Sequence, residues 1–218
     1  MSDIYQVLNE SKLTKFHYMI LLVGCLIYCL TALDVMLIGS VVPVIAREWR
    51  LDLVTIGYLI SSGFIGMFIG ALLFGRLADV IGRRNTILIV IVVEALFTAL
   101  CGLAYDVTSM IVLRLLAGIG LGGALPQPGI YVSEYVPTRY RGTFLGLIET
   151  SWVYGALLSL IFPIILLPSY GWRITFLVGL IPLIVIPLAI AYLPESIRYL
   201  VKQGRIDQIN NIFEKYGF

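Results

Sequence analysis

Four ionisable side chains stand inside long apolar stretches of the 218-residue chain: Asp34, Glu94, Arg114 and Glu149. An Asp or Arg near the centre of a membrane helix costs about 2.5–3.5 kcal/mol on insertion scales, so such residues mark function by default. Asp34 lies three residues past the middle of its stretch, about 4.5 Å beyond the midplane at the helical rise of about 1.5 Å per residue. Arg114 comes six residues after the start of a stretch running the other way, at similar depth. A carboxylate in a dry site tends to hold its proton, and a nearby guanidinium opposes this. Parting the two by a helix movement would let Asp34 take a proton, which is a proton-coupling device. The alternative is a permanent buried ion pair that only fixes one helix against another. Glu149 opens the run Glu149-Thr150-Ser151-Trp152-Val153-Tyr154, about two turns into its stretch. Glu149, Trp152 and Tyr154 suit the wall of a ligand cavity, or equally an interhelical hydrogen-bond cluster. Gln127 stands between Pro126 and Pro128, where a kinked helix would turn freed carbonyls toward the same cavity. Glu94, near a midplane and without an obvious partner, reads as a protonated structural acid.

The elements that must carry these residues follow from composition. Sixty per cent of the residues are apolar and 13% are charged, against about 25% charged in a soluble domain. The mean hydropathy is +0.98. So much apolar surface cannot be hidden inside a small soluble particle, and lipid must be the solvent. Six apolar stretches, at 16–46, 54–78, 86–104, 108–135, 143–167 and 174–193, are each long enough to span a bilayer. Backbone groups in hydrocarbon must bond internally, and no alternation of a barrel strand is present, so the spans are helices. Eleven Lys and Arg flank one set of connectors and ends and three flank the other, which puts both termini in the cytoplasm.

The expected fold is therefore an all-α, six-helix transmembrane bundle over residues 1–193, followed by the start of a cytoplasmic linker over 194–218. In that linker Ile209, Ile212, Phe213 and Tyr216 fall at helical spacing and predict a short amphipathic helix, lying on the membrane or capping the bundle. Gly82, Arg84, Thr86 and Leu88 recur 89 residues later as Gly171, Arg173, Thr175 and Leu177, the relation expected of a 3+3 inverted repeat. Glycines crowd the second stretch (Gly63, Gly66, Gly70, Gly75) and the fourth (Gly118, Gly120, Gly122, Gly123), where they would let helices approach closely. The first apolar stretch is too long for a signal-peptide core and is expected to stay as a span.

Other functions are disfavoured by the same composition. A net charge of +2 without a long basic run implies no nucleic-acid surface. Cys25, Cys29 and Cys101 lack metal-ligand spacing and sit in apolar runs, so no metal or other cofactor is expected, nor any enzyme chemistry. The partners are lipid, protons and a small-molecule solute, in a multi-pass protein of the plasma membrane.

The strongest local pattern is the connector Gly75-Arg76-Leu77-Ala78-Asp79-Val80-Ile81-Gly82-Arg83-Arg84. Its glycines would make a tight turn, Asp79 would cap a helix N-terminus, and Arg83 and Arg84 would grip carboxylates on neighbouring helix ends. This run resembles, at every specified position, the loop signature of the major facilitator superfamily. The run Arg114-x-x-x-Gly118-x-Gly120-x-Gly122, then Tyr131, Glu134, Pro137, Arg141 and Gly142, resembles the pattern of its sugar-porter-like branch. Pro194-Glu195-Ser196-Ile197-Arg198-Tyr199-Leu200, with Gly204-Arg205 after it, is similar to the branch's motif following the sixth helix.

The resemblance covers essentially the whole chain and implies an N-terminal six-helix half, to be completed by a C-terminal half or a second copy. It implies alternating access by rocking of two halves, with Asp79, Arg83, Arg84, Glu134, Arg141, Glu195 and Arg198 as a cytoplasmic gate network. Asp34 and Arg114 match the residues of proton-linked members, so symport is expected. Ile197 replaces a proline of the motif, and Glu149 stands where sugar porters place a sugar-binding Gln. The expected cargo is a sugar or related metabolite, with aromatic acids and organic cations open. The competing functions are a truncated, non-transporting fragment and a transporter-derived membrane sensor.

Overall fold

The computed structural model describes residues 7–217; residues 1–6 and 218, which the expected boundaries 1–193 and 194–218 include, lie outside the described residues. The described residues are helices joined by short connectors, without a strand. Helix α1 spans Lys15–Glu48, α2 Leu53–Ile81 and α3 Arg83–Leu100, the last prolonged by the 3₁₀ turn Cys101–Leu103. Then follow α4 (Val107–Ala124), α5 (Gln127–Tyr135), α6 (Thr138–Thr175), the 3₁₀ segment Phe176–Ile184, α7 (Val185–Tyr192), α8 (Ile197–Lys202) and α9 (Ile206–Tyr216).

Local chemistry sets several boundaries. The carboxylate of Asp52 accepts from the Thr55 N–H at the start of α2, and that of Asp106 accepts from the Ser109 N–H at 2.8 Å at the start of α4. These hydrogen bonds hold both carboxyls below their ordinary range. Between α4 and α5 only Leu125 and Pro126 intervene, both with near-helical angles, so the prolines bend the fourth stretch rather than end it.

Five continuous stretches are long and apolar enough to cross a membrane, and the fifth, Thr138–Tyr192, has 55 residues. A straight helix of that length would be about 80 Å long, far beyond a hydrocarbon core of about 30 Å. The stretch instead turns back at Gly171, where φ is +74° and ψ 176°. Thr138 bonds Asn9 at one end of the bundle, Trp172 bonds Glu48 at the other, and the Ile190 carbonyl has returned to accept from Arg84. The echo between Gly82 and Gly171 is thus conformational as well as sequential. Both glycines have positive φ, and the hydroxyls of Thr86 and Thr175 donate to the Gly82 and Gly171 carbonyls at 2.8 and 2.9 Å.

The interior is apolar at both ends. One cluster, at the Gly82 end, gathers Phe16, Ile20, Tyr131, Tyr135, Leu193, Ile197 and Ile209; the other, at the Gly171 end, gathers Leu37, Val41, Ile45, Met110, Trp172 and Phe176. Helix α9 docks on the first cluster, with the rings of Phe16 and Tyr216 4.1 Å apart, so its apolar face packs against the bundle.

Close helix contact is built from glycine. A Cβ at Gly66 would run into the Leu115 carbonyl, one at Gly118 into the Gly63 carbonyl and one at Gly122 into the Met67 carbonyl, so α2 and α4 meet backbone to backbone. Gly75 departs from the expectation. It is exposed within α2 and a Cβ there would meet nothing, so it serves neither a turn nor a seam.

Candidate functional site

Between the two apolar clusters the bundle carries a buried polar layer. Helix α1 supplies Thr31 and Asp34, α3 supplies Glu94 and Thr98, and α4 supplies Arg114; none is more than 3% exposed. Asp34 and Arg114 are brought together as the sequence predicts, within electrostatic reach of each other, but not as an ion pair at contact distance. Neither carboxylate oxygen of Asp34 has a hydrogen-bond partner, nor do Nε and Nη1 of Arg114. Asp34 and Arg114 therefore do not form the fixed ion pair of the structural alternative. Glu94 corrects the sequence reading in the other direction. It has a partner, the Thr31 hydroxyl, which lies 3.2 and 3.3 Å from its two oxygens.

Glu149 lies on an exposed face of α6, where the Tyr28 hydroxyl donates to it at 2.7 Å and the rings of Tyr28 and Trp152 stand 5.6 Å apart. With Met67, Phe68, Leu125 and Pro126 it lines an open hollow of about 470 Å³. Tyr154 does not belong there. Five residues on from Glu149, it points to another side of α6 and lines a separate apolar groove with Tyr18, Cys25 and Cys29. Gln127 is also excluded from the hollow: it is buried, and its Oε1 has no partner.

The Gly82 end is the better-bonded site. Arg83 Nε meets Glu134 Oε1 at 2.5 Å in a pair whose side chains are 11% and 6% exposed, and the Ser196 hydroxyl donates to the other Glu134 oxygen. Glu195 Oε1 accepts from the backbone N–H of Arg84 at 3.1 Å and of Ser196 at 2.8 Å. A carboxylate at the first turn of α3 also meets the positive end of the helix dipole. The cap of α3 is thus Glu195, not Asp79. Asp79 lies two residues before the end of α2, exposed, with its carbonyl accepting from Lys202. Gly82, at φ +97°, brings the backbone so near the Glu195 carboxylate that a Cβ there would collide with it.

Arg84 reaches the Ile190 carbonyl at 2.7 Å and Arg141 the Val136 carbonyl at 3.1 Å. Arg141 and Arg198 line one hollow with Glu134, and Arg198 lines another with Asp79 and Arg83, but neither arginine pairs with a carboxylate among the described residues. Tyr131, which the sequence pattern includes without giving it a role, and Tyr135, which sequence reading missed, hold the carbonyls of Pro194 and Glu195 with their hydroxyls. Sequence reading also missed Glu48, which bonds Trp172 at 2.6 Å and Arg173 at 3.0 Å at the opposite end. Tyr135 and Glu48 have no local signal beyond side-chain type. Among the described residues no group of His, Cys, Asp and Glu is placed to hold a metal, and the three cysteines are free.

The chain matches the family model of the Major Facilitator Superfamily over residues 24–215. It is 36% identical over 213 residues to a niacin transporter of Acinetobacter baylyi, covering 98% of this chain and 48% of that protein. It is 34% identical to a benzoate transport protein of the same organism, covering 98% and 47%. The chain thus spans about half the length of the curated relatives it matches. Among solved structures, the proton:xylose symporter XylE superposes with a TM-score of 0.81 at 25% identity, over 92% of this chain and 49% of that one. The family and these relatives are transporters, not enzymes. With the sequence motifs and the helical architecture in agreement, the chain belongs to the Major Facilitator Superfamily.

Proposed function

We propose that this chain forms the first half of a proton-coupled transporter for a small aromatic carboxylic acid, embedded in the plasma membrane and completed by a second six-helix half or a second copy. The fifth long stretch, turning back at Gly171, counts as two spans, which gives six, with residues 1–193 as the membrane half and both termini cytoplasmic. Residues 194–218, including α9, then begin a cytoplasmic linker, and the Gly82 end is the cytoplasmic gate.

The observation that carries the reading is the unpartnered Asp34 and Arg114 in a buried layer between two apolar clusters. Charged groups left without contacts inside a membrane bundle are costly to keep, and a change of protonation is what gives them a use. The choice of cargo rests on the relatives. Beside niacin and benzoate carriers, matching proteins include a 4-hydroxybenzoate transporter and a gallate transporter, so an aromatic acid is favoured over a sugar or an organic cation. The hollow lined by Glu149, Tyr28 and Phe68, with Trp152 packed against Tyr28, offers flat apolar contact and one hydrogen-bonding end, which suits an aromatic ring.

The test is uptake of labelled niacin, benzoate and xylose into vesicles with an imposed proton gradient. The chain is supplied alone and together with the second half of the niacin transporter. Gradient-driven uptake of an aromatic acid by the paired halves is expected. Uptake of xylose alone would return the chain to the sugar-porter reading, and uptake of nothing in either arrangement would identify a non-transporting fragment.

A further inference from the structure

The polar layer holds two carboxylic acids and one permanent cation. Asp34 and Glu94 are fully buried and Arg114 is 3% exposed. With both acids ionised the layer would carry a net negative charge in a medium that solvates charge poorly, and with both neutral it would leave Arg114 unbalanced. Only one proton on two carboxylates makes it neutral.

The geometry links the two acids. Thr31, one turn before Asp34 on α1, gives its hydroxyl to Glu94 on α3 at 3.2–3.3 Å. Thr98, one turn beyond Glu94 on α3, carries a buried hydroxyl beside Asp34 that makes no hydrogen bond at contact distance. The helices thus carry the same pair of groups in opposite order, hydroxyl then acid on α1 and acid then hydroxyl on α3. Other titratable groups are scarce at this level. The turn after α3 adds Cys101, α2 presents Gly63 to the guanidinium, α6 presents Gly155 to α1, and the segment Phe176–Ile184 contains no ionisable residue.

We propose that Asp34 and Glu94 share a single proton against Arg114, so that Glu94 is a second proton-carrying carboxylate. When Asp34 releases its proton to Glu94, the Asp34 carboxylate becomes the counter-ion of Arg114; when Glu94 returns it, the roles exchange. No electron moves, and the layer stays neutral throughout. The part this plays in coupling rests on the proposed transport function; the charge arrangement itself does not.

Infrared spectroscopy of the purified chain in lipid discs reads it directly, through the C=O stretch of a buried protonated carboxyl and its shift in heavy water. Wild-type protein should show the band at neutral pH. Asp34→Asn and Glu94→Gln should each abolish it, because either leaves one acid to one cation, whereas Arg114→Gln should roughly double it by leaving two acids without a counter-ion. Survival of the band in Glu94→Gln would make Asp34 the sole carrier, and survival in Asp34→Asn would make Glu94 an isolated neutral acid. Either result, or no band in wild type, overturns the proposal. Should Glu94→Gln not fold, Thr31→Val removes only the donor to Glu94 and should shift the band's frequency at unchanged intensity; an unmoved band would count against the shared proton. None of these readings needs transport. A failed uptake experiment with the expected band pattern would therefore overturn the function and leave the shared proton standing.

Discussion

The Gly82 end and the middle of the bundle are built from the same residue types with opposite outcomes. At the end, Arg83, Glu134, Ser196 and Glu195 saturate one another, and Tyr131 and Tyr135 hold the chain that carries Glu195. In the middle, at greater burial, Asp34 and Arg114 lie near each other without bonding: both Asp34 oxygens and two Arg114 nitrogens are unpartnered.

 
A saturated cluster fixes geometry, since every displacement breaks a bond. An unsaturated one can change its charge state without breaking any, which is what a coupling site requires.

The comparison can be broken in four ways. The largest expected effect is that of Arg83→Ala, which leaves the nearly buried Glu134 carboxylate without its cation and should lower stability by about 3–5 kcal/mol in denaturant unfolding of the detergent-solubilised protein. A loss below about 1 kcal/mol would mean that the Gly82 end is no better bonded than an exposed surface. Next come the two glycine turns. Gly82→Ala and Gly171→Ala both force an L-residue to positive φ, at about 1–2 kcal/mol each. Only the Gly82 variant also displaces the Glu195 carboxylate, so it should melt at the lower temperature; equal melting would remove Glu195 as the cap of α3.

Asp34→Asn should be milder, costing less than about 1 kcal/mol because no hydrogen bond is lost, while gradient-driven accumulation disappears and exchange without a gradient persists. A stability loss as large as that of Arg83→Ala would show that the middle layer is structural after all. The smallest effect is at the exposed cap of α4. Hydrogen bonds from Ser109 hold the Asp106 carboxyl below its ordinary range, so its contribution is complete above the unfolded-state pKa and is lost as pH falls through the depressed folded value. Asp106→Ala should flatten that acid limb of the melting curve slightly and leave the neutral-pH comparison of the two clusters unchanged.

Much of the architecture was legible because membrane helices announce themselves locally. Length and apolarity mark the long stretches that could cross a membrane. The burial of Asp34 and Arg114 at one level also followed from counting residues along their helices. What failed was whatever depended on the rotation of a helix in the bundle or on distant partners. Tyr154 and Glu149 are near in sequence, but a step of five residues carries Tyr154 to another side of α6. Asp79 has the chemistry of a cap, and Glu195, 111 residues from Arg84, occupies the position. The partner of Glu94 is invisible in the sequence because Thr31 is 63 residues away and carries no signal of its own.

The glycine contacts have a mechanical consequence. Gly66, Gly118 and Gly122 join α2 to α4, and Gly120 sets α4 against the Glu94 backbone of α3, so these three helices form one plank. Gly155 of α6 sits against the Cys29 carbonyl of α1 and makes those two a second plank. Glu94 and Arg114 ride on the first and Asp34 rides on the second. Any slip between the planks changes the distance from Asp34 to both of its neighbours at once while Glu94 and Arg114 keep their spacing, which turns a small shear of the bundle into a choice of which acid faces the cation.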